Sequence, residues 1–274
     1  MPDQPLLELS GVPETLLYTV YIRAIESQRP DALLKDDIAV SLVDRFKDDF
    51  ARARNLPMDK DDQLGVILRN RQVDRRVRDF LSRNPGATVL HFGCGLDGRF
   101  ELVDDGKVEW YDLDLPEVIE LRLKYIHGKE GRYHLLSGSI FENTWMDAIP
   151  AQKRSPILFA SEGVLVYFPE EQVKSLVLNL RNHFPGTELV IDTQSKYIVT
   201  MNNLRFKLSR FKPSARFQWG FSRGKDIESW GAGIRLLHGC HIFDESEPRL
   251  NHIRWMRHIP LFANVMGVFH YSLG

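Results

Sequence analysis

The chain has 274 residues, 43% hydrophobic and 27% charged, and its 36 basic side chains nearly balance 37 acidic ones. That length buries one substantial core, and a net charge of −1 excludes a globally cationic binder of nucleic acid or of anionic membrane. Two cysteines, Cys94 and Cys240, make no disulfide framework, no apolar run approaches the roughly 20 residues of a membrane span, and the polar start PDQPLLELSG is unlike a secretory signal. The expectation is a soluble, cytoplasmic globular protein.

From Pro13 to about Arg83 the apolar residues recur at helical spacing. Leu16, Leu17, Val20, Tyr21 and Ala24 mark one helix face, and Ile38, Leu42, Val43 and Phe46 a second. A third helix is predicted from about Asp61 to Leu81, stopped by Asn84-Pro85-Gly86. Residues 1–83 are therefore assigned to an N-terminal helical region and 84–274 to a core of different periodicity.

In that core, short apolar runs bounded by turn residues read as buried strands at Thr88–Phe92, Val108–Leu113, Tyr133–Leu136, Ile157–Ala160 and Glu188–Ile191. Helices are predicted at Pro116–Ile126 and Glu170–Phe184. Strands alternating with helices give an α/β fold with a mostly parallel sheet covered on both faces. Gly233–Phe243 and Val265–Leu273 are predicted as closing strands, with a helix at about Glu247–Trp255 between them.

One segment breaks this rhythm. Between Asp192 and Asp226 there is no acidic residue, while Lys196, Arg205, Lys207, Arg210, Lys212, Arg216, Arg223 and Lys225 alternate with Tyr197, Phe206, Phe211, Phe217 and Trp219. It is read as a helical cap inserted after the fifth strand, at about 196–225. Without these eight charges the remainder carries −9, so the overall balance is a cancellation between an acidic body and a basic cap.

The sharpest local signal is VLHFGCGLDGRF, where a predicted strand runs into Gly93-Cys94-Gly95-Leu96-Asp97-Gly98. Glycines at this spacing let the backbone turn tightly and approach a nucleotide, and Asp114 follows where a ribose-hydroxyl acceptor is expected. A dinucleotide needs its pyrophosphate at the start of a long crossover helix. Here Arg99 to Lys107 leaves about two turns, Asp104-Asp105-Gly106 interrupts them, and Asp97 repels phosphate. A cationic, phosphate-free adenosine such as S-adenosylmethionine fits better.

Several segments, in order, resemble the leucine carboxyl methyltransferase and tetracenomycin-type polyketide O-methyltransferase family. They are YIRAIESQRPDALLKDDIA (Tyr21–Ala39), RNRQVD (Arg69–Asp74), HFGCGLDGR (His91–Arg99), VEWYDLDLPEVIE (Val108–Glu120) and SEGVLVYFPEEQV (Ser161–Val173). The resemblance covers the first two-thirds of the chain. It implies a class I methyltransferase fold, a Rossmann-like sheet whose last strand is antiparallel, with S-adenosylmethionine as cofactor. It further implies that Arg69 grips the cofactor's methionine carboxylate and that Gly93 and Gly95 line the cofactor. Asp114 would then accept from the ribose hydroxyls, and Glu162 would lie beside the cofactor. Arg23 aligns with a basic position near the entrance, and Tyr167 borders the methyl-transfer pocket; both are positioning candidates, and no catalytic residue is assigned.

The chain departs from the family at two points. Gly98 stands where the family has threonine, which loosens the loop. SGSIFENTW lacks the family's adenine-binding acid after the third strand, so Ser139 or the backbone takes that role, with Glu142 the nearest acid.

Methyl transfer from a sulfonium needs alignment above all. A carboxylate acceptor needs no base, whereas a phenol, with a pKa of about 10, does. No residue stands out as that base: His91 reads as a satisfied core histidine, and His238 and His241 fall in a predicted strand. The function expected is an S-adenosylmethionine-dependent O-methyltransferase acting on a carboxylate or hydroxyl of a small, polyketide-like molecule or of a protein. The cap favours an anionic acceptor. No nucleic-acid, membrane or metal partner is expected, and no motif encodes an oligomeric state. Two alternatives stay open: an NAD(P)-dependent oxidoreductase, and a non-catalytic cofactor-binding interaction protein.

Overall fold

Two of the helices before the sheet begin where the sequence supplies acceptors for their unpaired amides. In the computed structural model, which describes residues 14–48, 50, 58–126, 131–153, 156–208, 216–221 and 223–274, α1 spans Glu14–Ser27 and α2 spans Asp37–Arg45. The Asp36 side chain caps α2 by accepting from the Ala39 amide at 3.0 Å. The long α3, Lys60–Arg83, opens with a reciprocal capping box between Asp59 and Asp62.

The sheet follows in the order β3-β2-β1-β4-β5-β7-β6. Its strands are β1 (Thr88–Phe92), β2 (Glu109–Asp114), β3 (Tyr133–Ser137), β4 (Ile157–Ser161), β5 (Glu188–Gln194), β6 (Arg235–His241) and β7 (Met266–Ser272). β1 to β5 are parallel, while β7 runs antiparallel between β5 and β6. The five central strands stand where their apolar runs predict them, with β5 continuing to Gln194. The connecting helices are α4 (Arg99–Val103), α5 (Pro116–Tyr125), α6 (Thr144–Asp147), α7 (Glu170–His183), α8 (Lys196–Leu208) and α9 (Pro260–Ala263).

The two faces of the sheet bury different partners. On one, Val73, Val77 and Phe80 of α3 pack on Val89, Trp110, Leu158, Val190 and Val268. On the other, Val173, Val177 and Leu180 of α7 meet Leu90, Phe159, Ile191 and an aromatic group of Phe92, Trp145 and Phe184. Each such side chain contributes about 1.5–3 kcal/mol of burial. This fixes the sheet between its helices, and with it the loops at the strand C-terminal ends, where open α/β sheets bind ligands.

The last third departs from its predicted form. No α-helix occupies Glu247–Trp255; 3₁₀ turns lie at Pro248–Leu250 and Arg254–His258 instead. Leu250, Ile253 and Met256 recur every third residue, the period of a 3₁₀ helix, and all three line the cavity described below. The cap is only partly helical. α8 fits the expectation, but residues 216–221 form no regular element and Gly224–Trp230 is a 3₁₀ helix. Arg210, Phe211 and Lys212 lie outside the described residues. Among the described residues no helix is long and apolar enough to cross a membrane.

Candidate active site

The glycine loop leaves β1 with backbone that only glycine adopts readily. Gly93 has φ +64° and Gly95 φ +52°. A Cβ on Gly93 would stand 2.2 Å from Val164 Cγ2, so neither strain nor space admits a side chain there. The Gly95 amide donates to Asp114 Oδ2 at 2.7 Å, tying the loop to the end of β2. Gly98 has a different reason from the expected loosening. Its φ is −90°, and an added Cβ would lie 3.0 Å from Asp36 Oδ1 and 3.1 Å from Ile38 Cδ1. It makes room for the start of α2.

Beneath the loop lies a buried network of arginines and carboxylates. Arg99, with no exposed surface, is its centre. Its Nε donates to Asp74 Oδ1 at 2.6 Å, one Nη donates to His91 Nε2 at 2.9 Å, and the other donates to Glu162 Oε2. Because a guanidinium has no acceptor, His91 Nε2 must accept, which leaves Nδ1–H to face Asp112 Oδ1 at 3.1 Å. Arg69 donates from Nε to Glu162 Oε1 at 2.9 Å and stands 3.2 Å from Asp192 Oδ2. Asp192 Oδ1 accepts from the Gly163 amide at 2.8 Å. Arg122 donates to the carbonyls of Gly95 and Asp97 at 2.8 and 2.9 Å and also pairs with Asp112.

Arg23 lines the cavity but is not exposed. It is 4% exposed and bridges Asp36 and Asp97, each at 2.7 Å. Asp97 is thereby matched from within. Burial opposes its ionisation, but Arg23 and Arg99 hold its carboxyl well below the usual range. Glu162 is likewise lowered, its burial outweighed by Arg99 and Arg69. Burial wins at Asp74 and Asp192, whose carboxyls are pushed up despite Arg99 and Arg69 respectively. The guanidinium groups of Arg23, Arg69, Arg99 and Arg122 face the carboxyls of Asp36, Asp74, Asp97, Asp112, Glu162 and Asp192. This surplus of acid favours a ligand that brings positive charge.

Over the network opens a cavity of about 800 Å³. Arg23, Arg69, Gly93, Gly95, Asp114, Ser139, Glu162 and Tyr167, the residues expected from sequence, all line it. Ser139 Oγ accepts from the Phe141 amide at 3.3 Å, and beside it the wall is apolar, with Leu115, Val118 and Ile140. Glu142 is not part of the lining. Tyr18, Met58, Phe217, Ile253, Met256 and Phe262 add further, mostly apolar walls to the same cavity. Tyr167 stacks on Phe217 with ring centres 5.1 Å apart. Val166 O accepts from the Gln218 amide at 2.8 Å, and Asn203 bonds the Phe217 backbone at both its amide and its carbonyl. The first bond ties the irregular part of the cap to the loop after β4, and the Asn203 pair ties it to α8. Sequence reasoning missed Asp74, Arg99, Asp112, Arg122 and Asp192. Asp74 stood in plain view as the last residue of R-x-R-x-x-D, and only the fold supplies the arginine it meets. Among the described residues no group of His, Cys, Asp or Glu could hold a metal ion.

These residues also fit a cationic nucleoside with an amino-acid tail. Gly93 and Gly95 form a cradle that a Cβ would fill, and Asn70 Oδ1 is a buried acceptor without a hydrogen-bond partner among the described residues, beside Arg69 and Glu162. The leucine carboxyl methyltransferase family profile matches residues 17–181. The tetracenomycin polyketide synthesis O-methyltransferase TcmP of Streptomyces glaucescens is 32% identical over 87% of this chain and 86% of its own. An S-adenosyl-L-methionine-dependent methyltransferase, dpfgK, of Gibberella zeae is 26% identical over 93% and 90%. A putative methyltransferase of Thermobifida fusca superposes with a TM-score of 0.61 at 14% identity, covering 97% of each chain. Magnesium protoporphyrin IX methyltransferase of Synechocystis with bound S-adenosylhomocysteine gives 0.51 at 10% identity, covering 85% of this chain and 98% of that one. The oxidoreductase and non-catalytic alternatives fall away. The chain belongs to the leucine carboxyl methyltransferase family and is an S-adenosylmethionine-dependent methyltransferase.

Proposed function

We propose that the protein is an O-methyltransferase whose acceptor is a small, largely apolar molecule carrying a carboxylate or hydroxyl oxygen. One observation supports this above the others: the cavity continues from the polar network into walls of Met58, Phe217, Ile253, Met256 and Phe262. Its volume suits a cofactor with a second, drug-sized ligand. The name of TcmP, a polyketide O-methyltransferase, agrees with that reading.

Bound S-adenosylmethionine supplies an electrophilic methyl group on a cationic sulfur. The protein's part is to hold and align. Arg69, its fork fixed by Glu162 and Asp192, offers its remaining N–H groups to the tail carboxylate. Asn70 Oδ1 and the acidic surplus suit the tail ammonium. Asp114, held by the amides of Gly95 and Leu115, presents its free lone pairs to the ribose hydroxyls. Ser139 and the wall of Leu115, Val118 and Ile140 receive the adenine. Tyr167 and Phe217 would flank the acceptor and limit its orientations, which is what the in-line alignment of methyl transfer requires.

The cap's charge has a narrower role than its composition suggests. Of its eight basic residues, Arg205 alone among the described ones lines the cavity, and Asp62 holds it at 2.7 Å. Asp59, Asp61 and Asp62 also line the cavity. Attraction of an anionic acceptor therefore rests on Arg205 and not on the whole cap. Labelled methyl transfer to a panel of aromatic acids and phenols tests the reading. A product that releases methanol in mild base is a carboxylate ester, a base-stable product is an ether, and transfer to nitrogen or sulfur nucleophiles alone overturns the proposal.

A further inference from the structure

Two stretches that border the acceptor end share a composition found nowhere else in the chain at this length. Thr193–Lys225 holds eight basic residues and no acid, and from Pro248 to Gly274 there are three arginines and again no acid. Both contribute cavity walls, through Ile198, Asn202, Arg205 and Phe217 in the first and Ile253, Met256 and Phe262 in the second. Tyr197 packs edge-on against Phe262, which joins the two stretches.

One face of α8 carries apolar side chains that are exposed among the described residues. Met201, Leu204 and Leu208 are spaced three and four residues apart, so they share one helix face. Leu208 is 78% exposed and Leu204 49%. The second stretch exposes Trp255 at 61% and Leu261 at 46%. Several cations here are already committed: Arg205 to Asp62, Arg249 to Glu26 and Glu247, Arg254 to the carbonyls of Glu245 and Glu247. Lys196 lies 3.6 Å from Glu170, and Arg223 pairs with Asp226. Lys207, Arg216 and Arg257 are exposed and have no acidic partner among the described residues.

We propose that this face binds an anionic lipid surface. Met201, Leu204, Leu208, Trp255 and Leu261 enter the interfacial layer, and Lys207, Arg216 and Arg257 meet the headgroup charge. A short helix with exposed leucines on one face and lysines and arginines beside them lies in the plane of a membrane and does not cross it. The thirteen residues of α8 are too few to span, so this placement agrees with the absence of a spanning helix among the described residues. A protein partner of acidic character would satisfy the cations, but a protruding leucine such as Leu208 would need a matching pocket, whereas lipid accommodates it without one. The acid-bearing remainder of the chain, net negative, orients this face toward the membrane and the body away from it. An apolar acceptor dissolved in the lipid then enters the cavity from the side that α8 borders.

Co-sedimentation with vesicles tests this independently of catalysis. The protein is expected to bind vesicles of phosphatidylcholine with phosphatidylglycerol, to ignore phosphatidylcholine alone, and to be released by high salt. Each basic side chain near such a surface contributes about fivefold, so Lys207→Glu with Arg257→Glu is expected to weaken partitioning by about twentyfold or more. Leu204→Asp with Leu208→Asp is expected to abolish it. S-adenosylhomocysteine binding by calorimetry should be unchanged in both variants, which shows that they are folded. Wild-type protein that stays in the supernatant, binding indifferent to lipid charge, variants that sediment as wild type, or retention on poly-glutamate without vesicle binding each overturn the proposal.

Discussion

The two ends of the cavity are built on different physics. At the cofactor end, charged groups are withdrawn from water and held by each other: Arg99 touches Asp74, His91 and Glu162 at once, and Glu162 also holds Arg69. At the acceptor end most of the walls are apolar side chains, carried on 3₁₀ turns, helix ends and an irregular strap, with Arg205 and its partner Asp62 among them. The first arrangement is over-determined, because removing one guanidinium strands several buried carboxylates. The second tolerates changes of side chain one at a time. On the proposed reading, a fixed cofactor end with a replaceable acceptor end lets one fold serve different acceptors.

If that contrast holds, the largest effect belongs to Arg99. Arg99→Met is expected to cost about 3–5 kcal/mol, the scale for breaking a buried ion pair, measured as a lower urea midpoint by circular dichroism. Arg99→Lys keeps the charge but not the fork and should fall between the two. Next comes Gly93→Ala. The positive φ and the clash with Val164 together are expected to cost about 1–3 kcal/mol and to weaken S-adenosylhomocysteine binding by more than about tenfold. Combining it with Val164→Ala removes the clash and leaves the strain, so recovery should be partial.

The acceptor end should respond differently. Phe217→Ala is expected to raise the KM for the acceptor several-fold, to leave S-adenosylhomocysteine affinity unchanged and to lower stability by about 1–2 kcal/mol, since Phe217 is only half-buried. A loss of cofactor affinity as large as that of Gly93→Ala would erase the distinction between the ends.

The smallest effect is a pH dependence away from both. At the start of β5, burial alone would raise the Glu188 carboxyl, but hydrogen bonds with His270 and Arg83 bring it down to about 2. Its folded value lies below its unfolded one, so its contribution is complete above the ordinary glutamate range and is lost as pH falls from there toward 2. Solvent screening leaves it on the order of 1 kcal/mol. Glu188→Gln should flatten that limb of the stability curve, and an unchanged limb would show that the pairs contribute nothing.

The same contrast decides what was legible in the sequence. The five central strands could be read because each is a local run of buried residues; a glycine pattern and a strand end pointed to Gly93, Gly95 and Asp114, the family resemblance to Glu162, and all four line the cavity. The network could not be read. Arg69 and Glu162 are 93 residues apart and Arg99 and Glu162 are 63 apart, so only the fold brings them together. Arg23 illustrates the cost: as one basic residue on a predicted helix it is indistinguishable from an exposed one until Asp36 and Asp97 meet it. The helix predicted at Glu247–Trp255 failed because a spacing of three satisfies a 3₁₀ turn as well as a short amphipathic helix. Gly98 looked like loop chemistry and proved to be packing against Asp36 and Ile38.

Calorimetric titration of S-adenosylhomocysteine into wild type, Arg69→Lys and Phe217→Ala tests the division of the cavity most directly. Arg69→Lys preserves the charge that neutralises Glu162 and Asp192 while removing the bidentate fork. Wild type and Phe217→Ala should bind alike, and Arg69→Lys, still folded with a cooperative melt at a somewhat lower temperature, should bind about tenfold or more weakly. Equal affinity in all three, or equal losses in both variants, would contradict a cofactor end built around Arg69 and separate from the acceptor end.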